Sequence, residues 1–254
     1  MFAPGDQAVE LGGNAETQAL RVSVGPSGPA HHPDRGRGAL RRRGAKIGGD
    51  RHGEGPEGQA HRHPTASTSA AYFTHRMLRK AGLDDADVTL VSMAPNDMPA
   101  ALADRKVDAI AIWEPQASQG EAVLGQDVVV LPGTGVYREV YNLNTTAGAL
   151  ADPARRARIV AYVRALAEAS RISAEDPKKV WPLVARSSGF SEETIAKGWP
   201  HHRFGAALAK DLLDVLEEEE QWLAPQAKRA PRPRAELAKL IDASVVREAL
   251  GKGR

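Results

Sequence analysis

The chain has 254 residues, 42% of them hydrophobic, which is enough for one large domain or two lobes with a real core. Lys and Arg total 34 against 32 Asp and Glu, and the resulting net charge of +2 gives no electrostatic reason for a nucleic-acid or membrane-surface partner. The absence of cysteine excludes disulfides, thiolate nucleophiles and Cys-ligated zinc. No apolar run approaches the roughly 18 residues of a membrane span, and the opening Met1–Asp6 is not the basic, then apolar, start of a signal peptide.

Residues 1–66 differ in kind from the rest. They carry more than half of the 24 glycines, five of the eight histidines (His31, His32, His52, His61, His63) and the cluster Arg41-Arg42-Arg43. So little apolar surface cannot offset the chain entropy of folding, and the segment is expected to be mostly disordered, with Gln18–Val24 as its one short strand. A basic nucleic-acid arm would interleave aromatics, which are missing here. His61-Arg62-His63 lacks further ligands at zinc spacing.

From Ser67 the pattern becomes periodic. Ser67-Thr68-Ser69 offers three N-cap hydroxyls, followed by Tyr72, Phe73, Met77, Leu78 and Ala81 at helical spacing and by Gly82 as a stop. The free N–H groups of such a helix start suit an anion, although capping alone accounts for the same residues. Val88–Val91 reads as a strand, and Pro95-Asn96-Asp97 as the cap of a short helix to Leu102, with Pro99 in its first turn. Val107–Ile112, with β-branched residues at 107, 110 and 112, reads as a buried strand that Glu114-Pro115 halts. Strand, helix and strand in this order predict a right-handed parallel unit. In such a sheet Trp113 and Glu114 stand at the carboxyl end of their strand, where ligands bind.

After Pro115 a helix is expected to about Val123, then a buried strand over Val128–Leu131 and one long strand over Tyr137–Thr146. The rest reads as helical. Pro153 opens an amphipathic helix carrying Ile159, Val160, Val163, Leu166 and Ala167; further helices cover Pro177–Ser187, Glu192–Gly198 behind Ser191, and Ala206–Leu223. Within the last, Glu217–Glu220 is expected to face solvent. Ala230–Arg234 is a Pro- and Arg-rich loop, and Glu236–Leu250 holds one or two short helices.

No dinucleotide fingerprint, Walker run, H-E-x-x-H or G-x-S-x-G occurs, and the adjacent His201-His202 would diverge on a helix. No catalytic, metal-binding or cofactor-binding set emerges. A pocket rimmed by helix N-termini and strand ends suits binding better than catalysis.

Three runs then carry a resemblance: Thr68-Ser69-Ala70-Ala71-Tyr72-Phe73; Pro95-Asn96-Asp97-Met98-Pro99-Ala100-Ala101-Leu102; and Val107 through Trp113-Glu114-Pro115. In order and spacing they are similar to the substrate-binding proteins of ABC importers for aliphatic sulfonates, taurine and nitrate, a family that also includes thiamine-precursor binders. The resemblance implies an α/β, two-lobe, type II periplasmic-binding-protein-like fold with the N-terminal lobe incomplete and a helical C-terminal portion. Lobe two would span residues 67–136, and residues 137–254 would cross over and return helices to lobe one. The implied function is that of a monomeric periplasmic receptor, not an enzyme, that passes a small anionic solute to an ABC permease. By position, Ser67, Thr68, Ser69 and the N–H of Ala70 would hold the anionic group; Trp113, Glu114 and Pro115 would form the pocket wall; Asp97 would address a cationic or hydroxyl part of the solute.

Two departures accompany the resemblance. Ser67 stands where the family usually has Gly, and residues 1–66 do not read as the family's leader and first lobe-one elements. Read one nucleotide later, permissible codons for Gly58–Pro64 can encode Gly-Lys-Arg-Ile-Gly-Ile, a strand of the expected kind. A shifted reading frame or truncated gene start is therefore expected there, with a non-binding product as the alternative outcome. A thiamine-pyrimidine relative, binding or biosynthetic, is the other alternative.

Overall fold

A computed structural model describes residues 11–24, 45–50 and 69–251. The chain divides into two compact units. One contains Val140–Ala224, the chain from Ala230 onward and the elements before Val24; the other runs from Val24 to Glu139 and includes Pro225–Arg229.

In the first unit β1 (Gly12–Ala15) pairs antiparallel with β5 (Tyr141–Asn144), Gly12 opposite Asn144 and Ala15 opposite Tyr141. Helix α1 (Glu16–Val22) follows β1 directly. Gln18–Val24 was expected as a strand, but the buried residues Glu16, Thr17 and Leu20 recur at helical spacing, and Glu16 accepts the N–H of Val140 at 2.8 Å. The segment 1–66 thus holds β1, α1 and a second strand, β2 (Ala45–Asp50), while positions 1–10, 25–44 and 51–66 lie outside the described residues. The long strand expected over Tyr137–Thr146 shortens to β5. The chain before it is spent on a turn, Val136 N–H donating to Gly133 O at 2.9 Å with Gly135 at φ +76°, and β1 offers only four partners.

Helices build the rest of this unit: α5 (Ala147–Ala151), α6 (Pro153–Glu175), α7 (Pro177–Ser188), α8 (Glu192–Gly198), α9 (Leu212–Gln226), α10 (Arg234–Leu237) and α11 (Ser244–Leu250). Their starts are chemically marked. Thr146 accepts Ala149 N–H, Asp152 accepts Ala154 and Arg155 N–H, and Ser191 accepts Thr194 N–H. One core joins α5, α6 and α11 through Ala149, Ile159, Val160, Val163, Val245 and Ala249. Across it, Arg156 bonds Glu248 and Ser244, and Arg164 bonds Ala249 O. A second core joins α1, α9 and α10 through Leu20, Leu212, Leu216, Leu223 and Leu237.

Helix α9 corrects two expectations. It begins at Leu212 instead of Ala206: Leu208 and Ala209 already pack on the second core from a non-helical segment, and the ladder starts with Val215 N–H on Asp211 O. The run Glu217–Glu220 is not a solvated face, since Glu219 and Glu220 are both 0% exposed. They stand seven and eight residues after Leu212, on the same stripe as Leu216 and Leu223, and helical periodicity carries them inward whatever their charge.

The second unit is built on a parallel sheet with order β3–β2–β4, where β3 is Val88–Met93 and β4 is Ala109–Ile110. Ala45 to Asp50 pair with Val88 to Met93, and Ile47 and Gly48 pair with Ala109 and Ile110. Helix α2 (Ser69–Lys80) connects β2 to β3, α3 (Met98–Ala103) connects β3 to β4, and α4 (Gln116–Leu124) follows β4. The strand expected over Val107–Ile112 pairs only at 109–110, yet Val107 and Ala111 are buried on either side. Ala70, Ala71, Tyr72, Leu78, Met98, Ala101 and Val136 are the other buried apolar residues described here. Val128–Leu131 does not form the expected buried strand: among the described residues it has no ladder partner, and Val129, Val130 and Leu131 are exposed.

Candidate functional site

Topology places the candidate residues before side chains do. In a parallel crossover the connecting helix returns from the carboxyl end of one strand to the amino end of the next, so helix N-termini gather on the carboxyl edge of the sheet. Ser69 opens α2 on that edge, Asn96 and Asp97 follow β3 on it, and Trp113-Glu114-Pro115 follow β4 into α4. The strand order reverses at β2, so the carboxyl ends of β2 and β4 flank the switch point, the position at which open α/β sheets take ligands.

Ser69 and Ala70 are buried, and the carbonyl of Ala70 accepts the Thr74 hydroxyl at 2.9 Å. Trp113, Glu114 and Pro115 are half-buried, and the Glu114–Pro115 peptide is cis. The Glu114 carboxylate accepts the Ser118 N–H at 3.2 Å, a capping contact on the first turn of α4. Trp113 O and Pro115 O accept from Ala117 and Gln119, so the wall run is continuous with the helix. Asp97 is exposed on the turn before α3. Ser67 and Thr68 lie outside the described residues.

One residue that the sequence reading did not single out joins this edge and pairs with Asn96 of the Pro95-Asn96-Asp97 cap. Gln116, the first residue of α4 and 7% exposed, donates from Nε2 to Asn96 Oδ1 at 3.1 Å and ties the turn after β3 to the turn after β4. Its one legible signal was its position immediately after Trp113-Glu114-Pro115. Among the described residues, no group of three His, Asp or Glu side chains is arranged to hold a metal ion.

A concavity of about 430 Å³ lined by Arg76, Arg79, Lys80, Gly135 and Val136 lies against the last turns of α2, hence at the amino edge of the sheet. Arg79 is ion-paired with Asp84, and Arg76 donates to the Tyr72 hydroxyl at 3.2 Å. This basic hollow is separate from the strand-end residues.

Three solved structures share the architecture. The alkanesulfonate-binding protein SsuA of Xanthomonas axonopodis pv. citri, bound to MOPS, superposes with a TM-score of 0.64 at 18% identity, over 92% of this chain and 81% of that one. The periplasmic aliphatic sulphonate binding protein SsuA of Escherichia coli gives 0.65 at 18% identity, over 94% and 81%. The two-lobe periplasmic-binding-protein fold is therefore the fold of this chain. The ligand-binding component of an ABC-type import system from Staphylococcus aureus, with zinc bound, gives 0.64 at 14% identity, over 95% and 81%. No protein-family model and no curated protein sequence matches the chain. Among the described residues no helix is long and apolar enough to cross a membrane.

Proposed function

We propose that the chain is the solute-binding receptor of an ABC importer and takes a small organic anion, such as an aliphatic sulfonate, onto the carboxyl edge of the β3–β2–β4 sheet. The observation that carries this reading is the convergence of the α2 and α4 N-termini on one parallel-sheet edge, beside Trp113. The hydroxyl-bearing start of α2 offers donors and a positive dipole end to an anion; α4, whose Ala117, Ser118 and Gln119 N–H groups are already engaged, adds its dipole end, and the Trp113 indole supplies apolar surface for a short carbon chain. Three ligand-binding proteins with the same fold support it. On this reading the partner is a membrane-embedded permease, the working compartment is the periplasm, the receptor acts as a monomer, and the chain catalyses nothing.

Thermal unfolding in the presence of methanesulfonate, ethanesulfonate, butanesulfonate, taurine, nitrate and thiamine precursors tests the proposal. Ligand at 100 times its Kd stabilises the bound state by about 2.7 kcal/mol, a shift of several degrees. A selective rise with the sulfonates is the expected result. A flat response across the whole panel would overturn the receptor reading in favour of a non-binding product. The two-stranded β1–β5 sheet, with Tyr141 exposed at 70% and Leu143 at 36%, is the observation on that alternative's side.

A further inference from the structure

The amide of Gln116 is an unusual object for a settled core. The side chain is 7% exposed, its Nε2 is used on Asn96 Oδ1, and its Oε1 is buried without a hydrogen-bond partner. A buried carbonyl oxygen left unpaired costs stability, and native structures leave few of them. The bond to Asn96 places this amide. Asn96 stands on the turn after β3 and Gln116 opens the nine-residue helix α4 after β4, so the amide spans the same strand-end edge that carries Trp113 and Glu114. An acceptor there is the wrong polarity for an anionic headgroup, which seeks the N–H groups of the helix starts. It suits a second group on the same solute, one that donates.

We infer that Gln116 is a specificity-determining residue of the solute site, and that its Oε1 accepts a hydrogen bond from a hydroxyl carried by the bound organic anion. The inference rests on the receptor reading of this edge and narrows it: the preferred solute is a hydroxylated anion, and a plain alkyl chain leaves the buried oxygen unpaired. The Asn96 amide holds Gln116 in register and is a positioning residue. The Glu114 carboxylate, engaged on Ser118 N–H, serves α4 and leaves the reading of the hydroxyl to Gln116.

The test uses two matched pairs of probes on the full chain by calorimetry: ethanesulfonate against 2-hydroxyethanesulfonate, and propionate against 3-hydroxypropionate. The wild type is expected to favour the hydroxylated member of at least one pair by about tenfold or more, the difference between a satisfied and an unsatisfied buried acceptor. Gln116→Met, which keeps volume and removes the amide, is expected to bind both members of that pair alike. Equal binding by the wild type, or a preference that survives in Gln116→Met, overturns the inference and leaves the receptor reading standing. No binding by any of the four probes overturns the inference, while the receptor reading stands or falls on the full thermal panel. The ligand-free melting temperature gives an independent readout: Gln116→Met removes the unpaired buried oxygen together with the Nε2 bond to the exposed Asn96, and the two effects are expected to offset to within about 5 °C. A fall of more than about 5 °C in Gln116→Met, or failure to fold, marks a structural amide and overturns the inference.

Discussion

Arg232 places three donors on the carboxylate of Glu220: its backbone N–H at 2.9 Å, Nε at 3.0 Å and Nη2 at 3.1 Å. The Glu220 side chain is 0% exposed and that of Arg232 is 17% exposed, and the guanidinium also reaches Ser23 Oγ and Leu20 O at the end of α1. A Pro- and Arg-rich loop is thereby pinned to α9 and α1 at once. Removal of one member of a buried ion pair strands the other, so Arg232→Ala is expected to lower stability by about 3–5 kcal/mol in urea titration. The Arg232→Met and Glu220→Leu double variant is expected to lose less than the sum of the two single changes.

Gly133 sets the approach of the 133–136 turn to α2. A Cβ built on it would stand 2.5 Å from Phe73 Cε2 and 2.9 Å from Cζ, so the ring has to move. Gly133→Ala is expected to cost about 1–3 kcal/mol, read as a lower melting temperature. In the Phe73→Leu background the cost of the same change should shrink.

Two carboxylates give the helical unit an acid sensitivity. The Asp152 carboxyl is held below its ordinary range chiefly by the N–H of Arg155, and that of Asp242 chiefly by the Ser244 hydroxyl and then the Ser244 N–H. A depressed folded pKa contributes stability that is fully present above the unfolded value of about 3.9 and is lost as pH falls through the folded value. The melting temperature is therefore expected to fall between pH 5 and pH 3. Asp152→Asn, which retains the capping oxygen, should show a shallower fall over the same window.

Ser69 and Trp113 carry the binding proposal most directly. If the solute anion sits at the start of α2, Ser69→Ala removes a donor to a charged group and raises Kd roughly tenfold or more. Trp113→Ala removes the apolar wall and should abolish the thermal shift. Both are read against an unchanged ligand-free far-ultraviolet spectrum.

Val129, at 80% exposure, distinguishes a surface segment from a core strand. Val129→Lys is expected to change stability by no more than about 0.5 kcal/mol and to improve solubility. A loss of several kcal/mol would restore the buried strand over Val128–Leu131.

The helix ends were legible because their chemistry is local. Gly82 at φ +75° after α2, Pro153 behind Asp152, and Ser191 ahead of α8 needed only their own neighbours. Extent was less legible wherever a partner sets it. The apolar run around β4 pairs for two residues, and β5 is as long as β1 allows, because a strand ends where its ladder does. The acidic run at 217–220 looked solvated by composition, although counting from Leu212 already put Glu219 and Glu220 on the buried stripe.

The same division holds for the candidate site. Trp113-Glu114-Pro115 and Ser69 stood out in the linear chain, since a strand halted by proline and a helix opened by hydroxyls are marked by residue type and spacing alone. Gln116 did not, nor did its pairing with Asn96: the two lie 20 positions apart and meet because parallel pairing on β2 brings the turns after β3 and β4 together. Local propensity and periodicity therefore determined which helices and strands this chain forms and where its polar caps fall. Only the tertiary structure decided which strands find partners, which charges are buried and which amide is left with an open acceptor, because those depend on contacts between residues far apart in sequence.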